Sequence, residues 1–265
     1  MMIGNLQSSL RHIFMTRFWL VVVFCLPVFV AIIPQKLAAQ ESLTALADEG
    51  QRLASLLRVG RGVVSSNQDL INDPSVGNKG LDSATFMKLV EDKYLEITGA
   101  LPLEAGLTPV QQRLTEAQLA SMAEIIEENQ ELINTRDIGF KGFIPAVFAR
   151  LVNERFSAKQ GAIAKVKVTA PPHLVRNRKA RPDDWEVAVI KEKFDNPDWT
   201  EGAAFYEEVT TDGVKNFRML IPEYYGESCL SCHGGPKGEV DVTGFPKEGG
   251  ATGDLAGAIS ITLKR

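Results

Sequence analysis

The sequence predicts an α+β fold, with helices in its first part and an antiparallel sheet in its second. Apolar residues recur at helical spacing from Ser42 to about Phe156. After Gly161 the pattern changes to strict alternation, the period of a half-buried strand. Helices come first and strands later, which favours an antiparallel sheet over a doubly wound parallel one. The break near residue 160 has no proline- or glycine-rich linker, so residues 41–265 are expected to form one domain.

Taken in order, Leu43, Leu46, Leu53, Leu56, Leu57, Val63 and Val64 mark one long amphipathic helix, or two in succession, from Ser42 to about Ile71. "NDPSVGNKG" ends it. A second helix is expected from Ala84 to Ile97, and "TGALPLEAGLTP" reads as a turn-rich connection. Thr115 and Gln118 have capping-box spacing and are expected to open a helix reaching about Ile133. Another covers 143–156, with Pro145 suited to a first turn. Alternation of Ala164, Val166 and Val168 with Lys165 and Lys167 predicts a strand, and a short helix follows from Asp183 to Lys193. Residues 203–222 read as a hairpin around Asp212-Gly213, a dipeptide suited to positive φ, and "GAISITL" as a last strand.

The first 39 residues carry Arg11, Arg17 and Lys36 and no acidic side chain, with an apolar run from Phe18 to Ile33 and small residues in "KLAAQES". This is the pattern of an export signal cleaved after Ala39. The competing reading is an uncleaved N-terminal anchor. As a helix the run would span roughly 24 Å, short of a hydrocarbon core of about 30 Å, and Pro27 interrupts it. Either reading places residues 41–265 outside the cytoplasm, in the periplasm, and a cleaved signal leaves no membrane span. Without the first 39 residues, 26 basic face 33 acidic side chains, a balance unlike that of a nucleic-acid-binding domain.

Of three cysteines, Cys25 lies in the signal, so the exported part holds only Cys229 and Cys232 and no disulfide framework. Both belong to "ESCLSCHGGPKGE", where Cys229-Leu-Ser-Cys232-His233 matches C-x-x-C-H. In that pattern each thiol adds to one haem vinyl group and the next histidine supplies an axial imidazole. A structural zinc site would need four ligands, usually as two separated pairs, and no second C-x-x-C exists. A thioredoxin-like dithiol would open a helix, and "CLSCHGGPKGEVD" is a poor helix start. One covalent haem c held by Cys229, Cys232 and His233 is the expected cofactor.

Four separated stretches, "FIPAVFARLVNERF", "KVKVTAPPHLVRNRKARPDDWE", "CLSCHGGPKGE" and "GGATGDLAGAISITL", together resemble an exported c-type haem family, the Tll-type haem-binding domain. The resemblance runs from about Ser42 to Arg265. It implies a PAS-like fold, a central antiparallel sheet with long N-terminal helices packed on it, and one haem serving redox sensing, ligand sensing or electron transfer. The family's "RNPxNxPDxWE" stands here as "RNRKARPDDWE", with Arg178 and Arg181 in place of the usual proline and asparagine.

For the iron's distal face the exported part offers His173, Met87, Met122 and Met219. His173 is the foremost candidate, since it follows Pro171-Pro172 beside the Arg-Asn motif, whereas the methionines fall on apolar faces where they serve as core filler. Arg176 and Asn177, with Arg178 and Arg181, are candidate propionate contacts, set against a solvated loop whose arginines pair with Asp183, Asp184 and Glu186. The expected function is that of a periplasmic monohaem cytochrome in redox or ligand sensing, with a redox partner or membrane signalling protein and a small gaseous ligand as its interaction classes. An electron-transfer cytochrome without a signalling role is the alternative. An enzyme such as a peroxidase ranks third, since no distal histidine and arginine pair has recognisable spacing. The last strand-like run closes the sequence, so the signal is expected to pass to a separate protein.

Overall fold

The computed structural model describes residues 27–211 and 213–264. The residues from Leu46 onward form one compact unit, separate from the described residues that precede it. The expected signal falls largely outside the described residues, and its remainder is helical as the beginning of α1 (Pro27–Ser66). Among the described residues no helix is long and apolar enough to cross a membrane.

The first long helix divides as its sequence allows. After Ser66 the chain steps through Asn67, whose side chain donates to the Val63 carbonyl at 2.8 Å, and resumes as α2 (Gln68–Asn72). Asp82 caps α3 (Ser83–Thr98) by accepting from the Thr85 N–H, and Gly99 ends it at φ 78°, where a side chain would be strained. The following helix corrects an expectation. It does not open at Thr115: α4 (Pro109–Glu128) starts under Thr108, whose capping box with Gln111 satisfies both exposed N–H groups, with Pro109 in the first turn. The T-x-x-Q spacing occurs twice, and the second copy is buried in mid-helix. There Thr115 bonds Arg52, and Gln118 donates to the Leu53 carbonyl at 3.0 Å, so both residues dock α4 on α1. A break at Asn129 separates α5 (Gln130–Asn134), and α6 (Pro145–Gln160) starts at its proline as expected.

Four strands follow: β1 (Ala164–Thr169), β2 (Phe205–Thr211), β3 (Val214–Tyr224) and β4 (Leu255–Lys264). They form an antiparallel sheet in the order β1-β4-β3-β2. Thr211 pairs with Val214, so the predicted hairpin turns on two residues, with Gly213 at φ 77°. Between β1 and β2 lies α7 (Asp184–Val189), opened by an Asp183–Glu186 capping box and continued by a π-helical turn at Ile190–Phe194.

Alternation along the strands gives the sheet two covered faces. Toward the N-terminal helices point Val166, Met219 and Ile261, all buried. Gly50 of α1 lies so close that a Cβ there would come within 2.7 Å of the Met219 Sδ. Beyond them the helices share a core built on Phe86, Phe143, Phe148 and Phe156, with Phe86 and Phe148 in ring contact at 5.4 Å. Full burial of each such ring contributes roughly 1.5–3 kcal/mol. On the opposite face Leu220 and Ala258 pack with Val189 and Ile190, and Trp185 and Phe205 close the edge. Arg218 lies 4.2 Å from the Trp185 ring centre and pairs with Asp183. The result is the predicted α+β arrangement of helices packed on an antiparallel sheet.

One feature of the topology positions the site. β3 and β4 are adjacent, yet residues 225–254 separate them in sequence. This excursion leaves and re-enters the sheet at one point, where the Tyr225 N–H donates to the Asp254 carbonyl at 3.0 Å and the Gly253 N–H to the Tyr225 carbonyl at 2.9 Å.

Candidate functional site

The cysteine motif lies in that excursion. A 3-10 turn at Glu227–Cys229 leads into α8 (Leu230–His233), a single turn carrying Cys232 and His233 at its end. Gly234 terminates it, donating to the Leu230 carbonyl at 2.9 Å, and a Cβ there would collide with the same oxygen. Both thiols are free and half-buried.

A strap from later in the excursion returns alongside the motif. The Gly249 N–H donates to the Gly234 carbonyl at 3.1 Å, and the Gly250 N–H to the His233 carbonyl at 2.8 Å. Gly250 is required for this approach, because a Cβ would fall 2.7 Å from the Tyr225 ring. The strap also delivers Glu248, whose Oε2 accepts from the His233 Nδ1 at 2.8 Å. With a carboxylate as acceptor, Nδ1 carries the proton. The Tyr225 hydroxyl lies 3.5 Å from the same nitrogen, and its ring stacks on the imidazole, 5.1 Å between centres. Nε2 has no hydrogen-bond partner among the described residues, which leaves its lone pair available to a ligand.

Arg176 holds the group together from outside the excursion. Its Nε and Nη2 grip Glu248 at 2.8 and 2.9 Å, Nη1 donates to Asp241 at 2.6 Å, and Nη2 also reaches the Cys232 carbonyl at 2.9 Å. The guanidinium carbon lies 5.5 Å from the Phe245 ring centre. The expected alternative for this arginine was pairing with Asp183, Asp184 or Glu186. Its actual partners lie 65 and 72 positions away in sequence. Its donors are committed to anchoring the motif's loop.

The charges are matched to this packing. Burial pushes the Asp241 carboxyl upward, but bonds from Thr243, Arg176 and the N–H groups of Thr243 and Phe245 outweigh it and hold the group well below the ordinary carboxylate range. Glu248 is pulled the same way: burial opposes ionisation, and Arg176 and then His233 overcome it. For Tyr225, burial first and the neighbouring Glu248 charge second push the phenol up to about 12.

The other predicted residues have surroundings of their own. Asn177 is exposed and caps a 3-10 turn, its Oδ1 accepting from the Lys179 N–H at 2.9 Å. His173 is exposed in the 3-10 turn Pro172–Leu174. Met122 is fully buried in the helical core and Met219 lies under α1, as core filler would be; Met87 is half-buried on α3. Beside His173, Pro172, Val175, Arg181, Pro182 and Val187 line a cavity of about 240 Å³. A cavity of about 320 Å³ beside Arg52 and Tyr94 holds none of the predicted site residues. Among the described residues no three histidine, cysteine or acidic side chains converge on one point, so the ligand set of a structural zinc is not assembled there.

Sequence reasoning passed over Tyr225, Asp241 and Glu248. Glu248 had one visible signal: it is a carboxylate directly before the Gly249-Gly250 pair that opens the last of the four family stretches.

The fold and site together define an α+β domain that presents a C-x-x-C-H turn on an excursion between two adjacent sheet strands. The chain belongs to the Tll0287-like family, whose sequence profile matches residues 105–264. That span contains α4 to α8, the whole sheet, Arg176, and every residue of the cluster around His233. No curated protein and no solved structure matches the chain.

Proposed function

We propose that this chain is an exported, periplasmic monohaem c-type cytochrome that senses redox state or a small ligand and passes the signal to a separate partner. The observation that carries the reading is the donor set on one helical turn. Two free, half-buried thiols stand three positions apart, followed by an imidazole whose Nδ1 is engaged and whose Nε2 is not. This set fits a covalent haem. Each of Cys229 and Cys232 would add its S–H across one vinyl group to leave a thioether, and His233 would offer Nε2 as an axial donor. When bound, the haem supplies a one-electron iron couple and, if its sixth position is open, a place for a gas molecule.

The chain's own residues support sensing in particular. His233 is bonded through Gly250 to the strap that runs into β4, and it stacks on Tyr225, the residue that follows β3. A displacement of the imidazole therefore bears on the ends of the two central strands, which is where a two-state element would have to be biased. His173 remains the candidate for the distal position, and Asn177 for a propionate contact.

An electron-transfer role without signalling is the second reading. It is favoured by exposed apolar surface in the same excursion, at Val240, Val242 and Phe245. Oxidised and reduced absorption spectra with a redox titration, repeated under carbon monoxide, separate the two. A reduced spectrum changed by carbon monoxide supports ligand sensing. A low-spin spectrum unchanged by carbon monoxide argues against gas sensing and leaves redox sensing or electron transfer.

A further inference from the structure

We propose that Glu248 is a positioning residue for His233: it fixes the Nε2-donating tautomer and strengthens that donor, which lowers the reduction potential of an iron bound there. The inference rests on the haem reading above and deepens it. A ligating histidine generally donates its other ring N–H to a backbone carbonyl, a water or a carboxylate, and the acceptor sets how electron-rich the ring becomes. In this chain the acceptor is an anion at 2.8 Å. Its partial negative charge on the imidazole stabilises ferric over ferrous iron, one of the levers by which a protein tunes haem.

The surroundings show that this contact is built rather than incidental. Glu248 is only 17% exposed, and both its oxygens are held by Arg176, so the carboxylate does not swing away to water. Tyr225 covers one face of the imidazole and fixes its plane. Gly249 and Gly250 bring the strap close enough for the carboxylate to reach Nδ1. Arg176 also tempers the effect, since a guanidinium on the same carboxylate withdraws some of the charge that Nδ1–H would otherwise meet.

Glu248→Gln tests this, because the amide keeps an acceptor oxygen for Nδ1–H and removes the charge. Glu239→Gln is the control, since it removes a carboxylate of the same excursion whose partner is Lys247 and which does not touch His233. The midpoint potentials of the three haem-loaded proteins are compared at one pH. Glu248→Gln should shift the ferric–ferrous equilibrium about tenfold toward ferrous, or about 59 mV for one electron, while Glu239→Gln stays at the wild-type value. In 15N-histidine-labelled ferrous protein the His233 Nδ1–H resonance should move upfield in Glu248→Gln alone, a change that general charge removal does not cause. Glu248→Asp should recover part of both. An unchanged potential in Glu248→Gln, or an equal shift in both variants, overturns the inference while leaving the haem intact. A wild-type protein without haem overturns this inference together with the reading beneath it.

Discussion

Replacing Arg176 with alanine removes the cation that joins the motif's helical turn to Asp241 and Glu248 of its loop. The cost can be estimated from what is left behind. The Asp241 side chain is fully buried and would keep its bonds from Thr243 and Phe245 while losing its ion pair with Arg176. Glu248, 17% exposed, would recover some water. Breaking a buried pair by deleting one partner costs about 3–5 kcal/mol, and the bonds that Asp241 retains place this case near 3 kcal/mol. For a chain of this size that lowers the melting temperature by roughly 6–12 °C. Thermal and urea unfolding of wild type, Arg176→Ala, Asp241→Asn and the double variant, all in the same haem state, supply the cycle. The double variant should cost about 1–2 kcal/mol less than the two single losses together, because neutralising Asp241 removes the orphaned charge. An Arg176→Ala loss below about 1 kcal/mol, or two losses that simply add, would refute the anchoring role.

Gly250→Ala places a methyl against the Tyr225 ring and should cost about 1–3 kcal/mol, with a changed near-ultraviolet tyrosine signal reporting the displaced stack; an unaltered signal would mean that the strap is not held where it is described. Asp241 has a depressed folded-state pKa, so its stabilisation is fully present above the unfolded value of about 4 and is lost as pH falls through the folded value. The protection of residues 241–245 against amide hydrogen exchange, taken relative to the intrinsic rate at each pH, should therefore fall below about pH 4, and this acid step should vanish in Asp241→Asn. His173→Ala should convert a low-spin haem spectrum to a high-spin one if His173 is the distal ligand, and bands that do not move would exclude it.

Particular elements show what the sequence could and could not reveal. The strands were legible because a sheet covered on both faces still alternates: Val166 turns to the helices, while Lys167 turns to Glu186. The hairpin was legible because two β-prone runs flank Asp212-Gly213, and local turn chemistry sets their register. The start of α4 was misplaced because two T-x-x-Q sequences occur seven residues apart, and spacing does not say which copy meets solvent. The first has Pro109 behind it, and that proline was the stronger signal. At the site, the thiols and imidazole were visible as a contiguous motif, whereas their support was not. Arg176, Asp241 and Glu248 come from two distant segments, and nothing local distinguishes an arginine that closes a loop from one that pairs with its own neighbours. Asn177 and His173 drew notice by their place in a motif, and the structure places each exposed at a 3-10 turn.

The central claim is that Cys229 and Cys232 carry haem through covalent bonds, and the mass of the intact protein tests it most directly. Protein produced in a periplasm with haem-attachment machinery should gain the mass of one haem, retained through denaturation and assigned by fragmentation to the peptide containing Cys229 and Cys232. Cys229→Ala with Cys232→Ala should show none. A denatured wild-type protein at its bare polypeptide mass, with both thiols free to alkylate, would contradict the account.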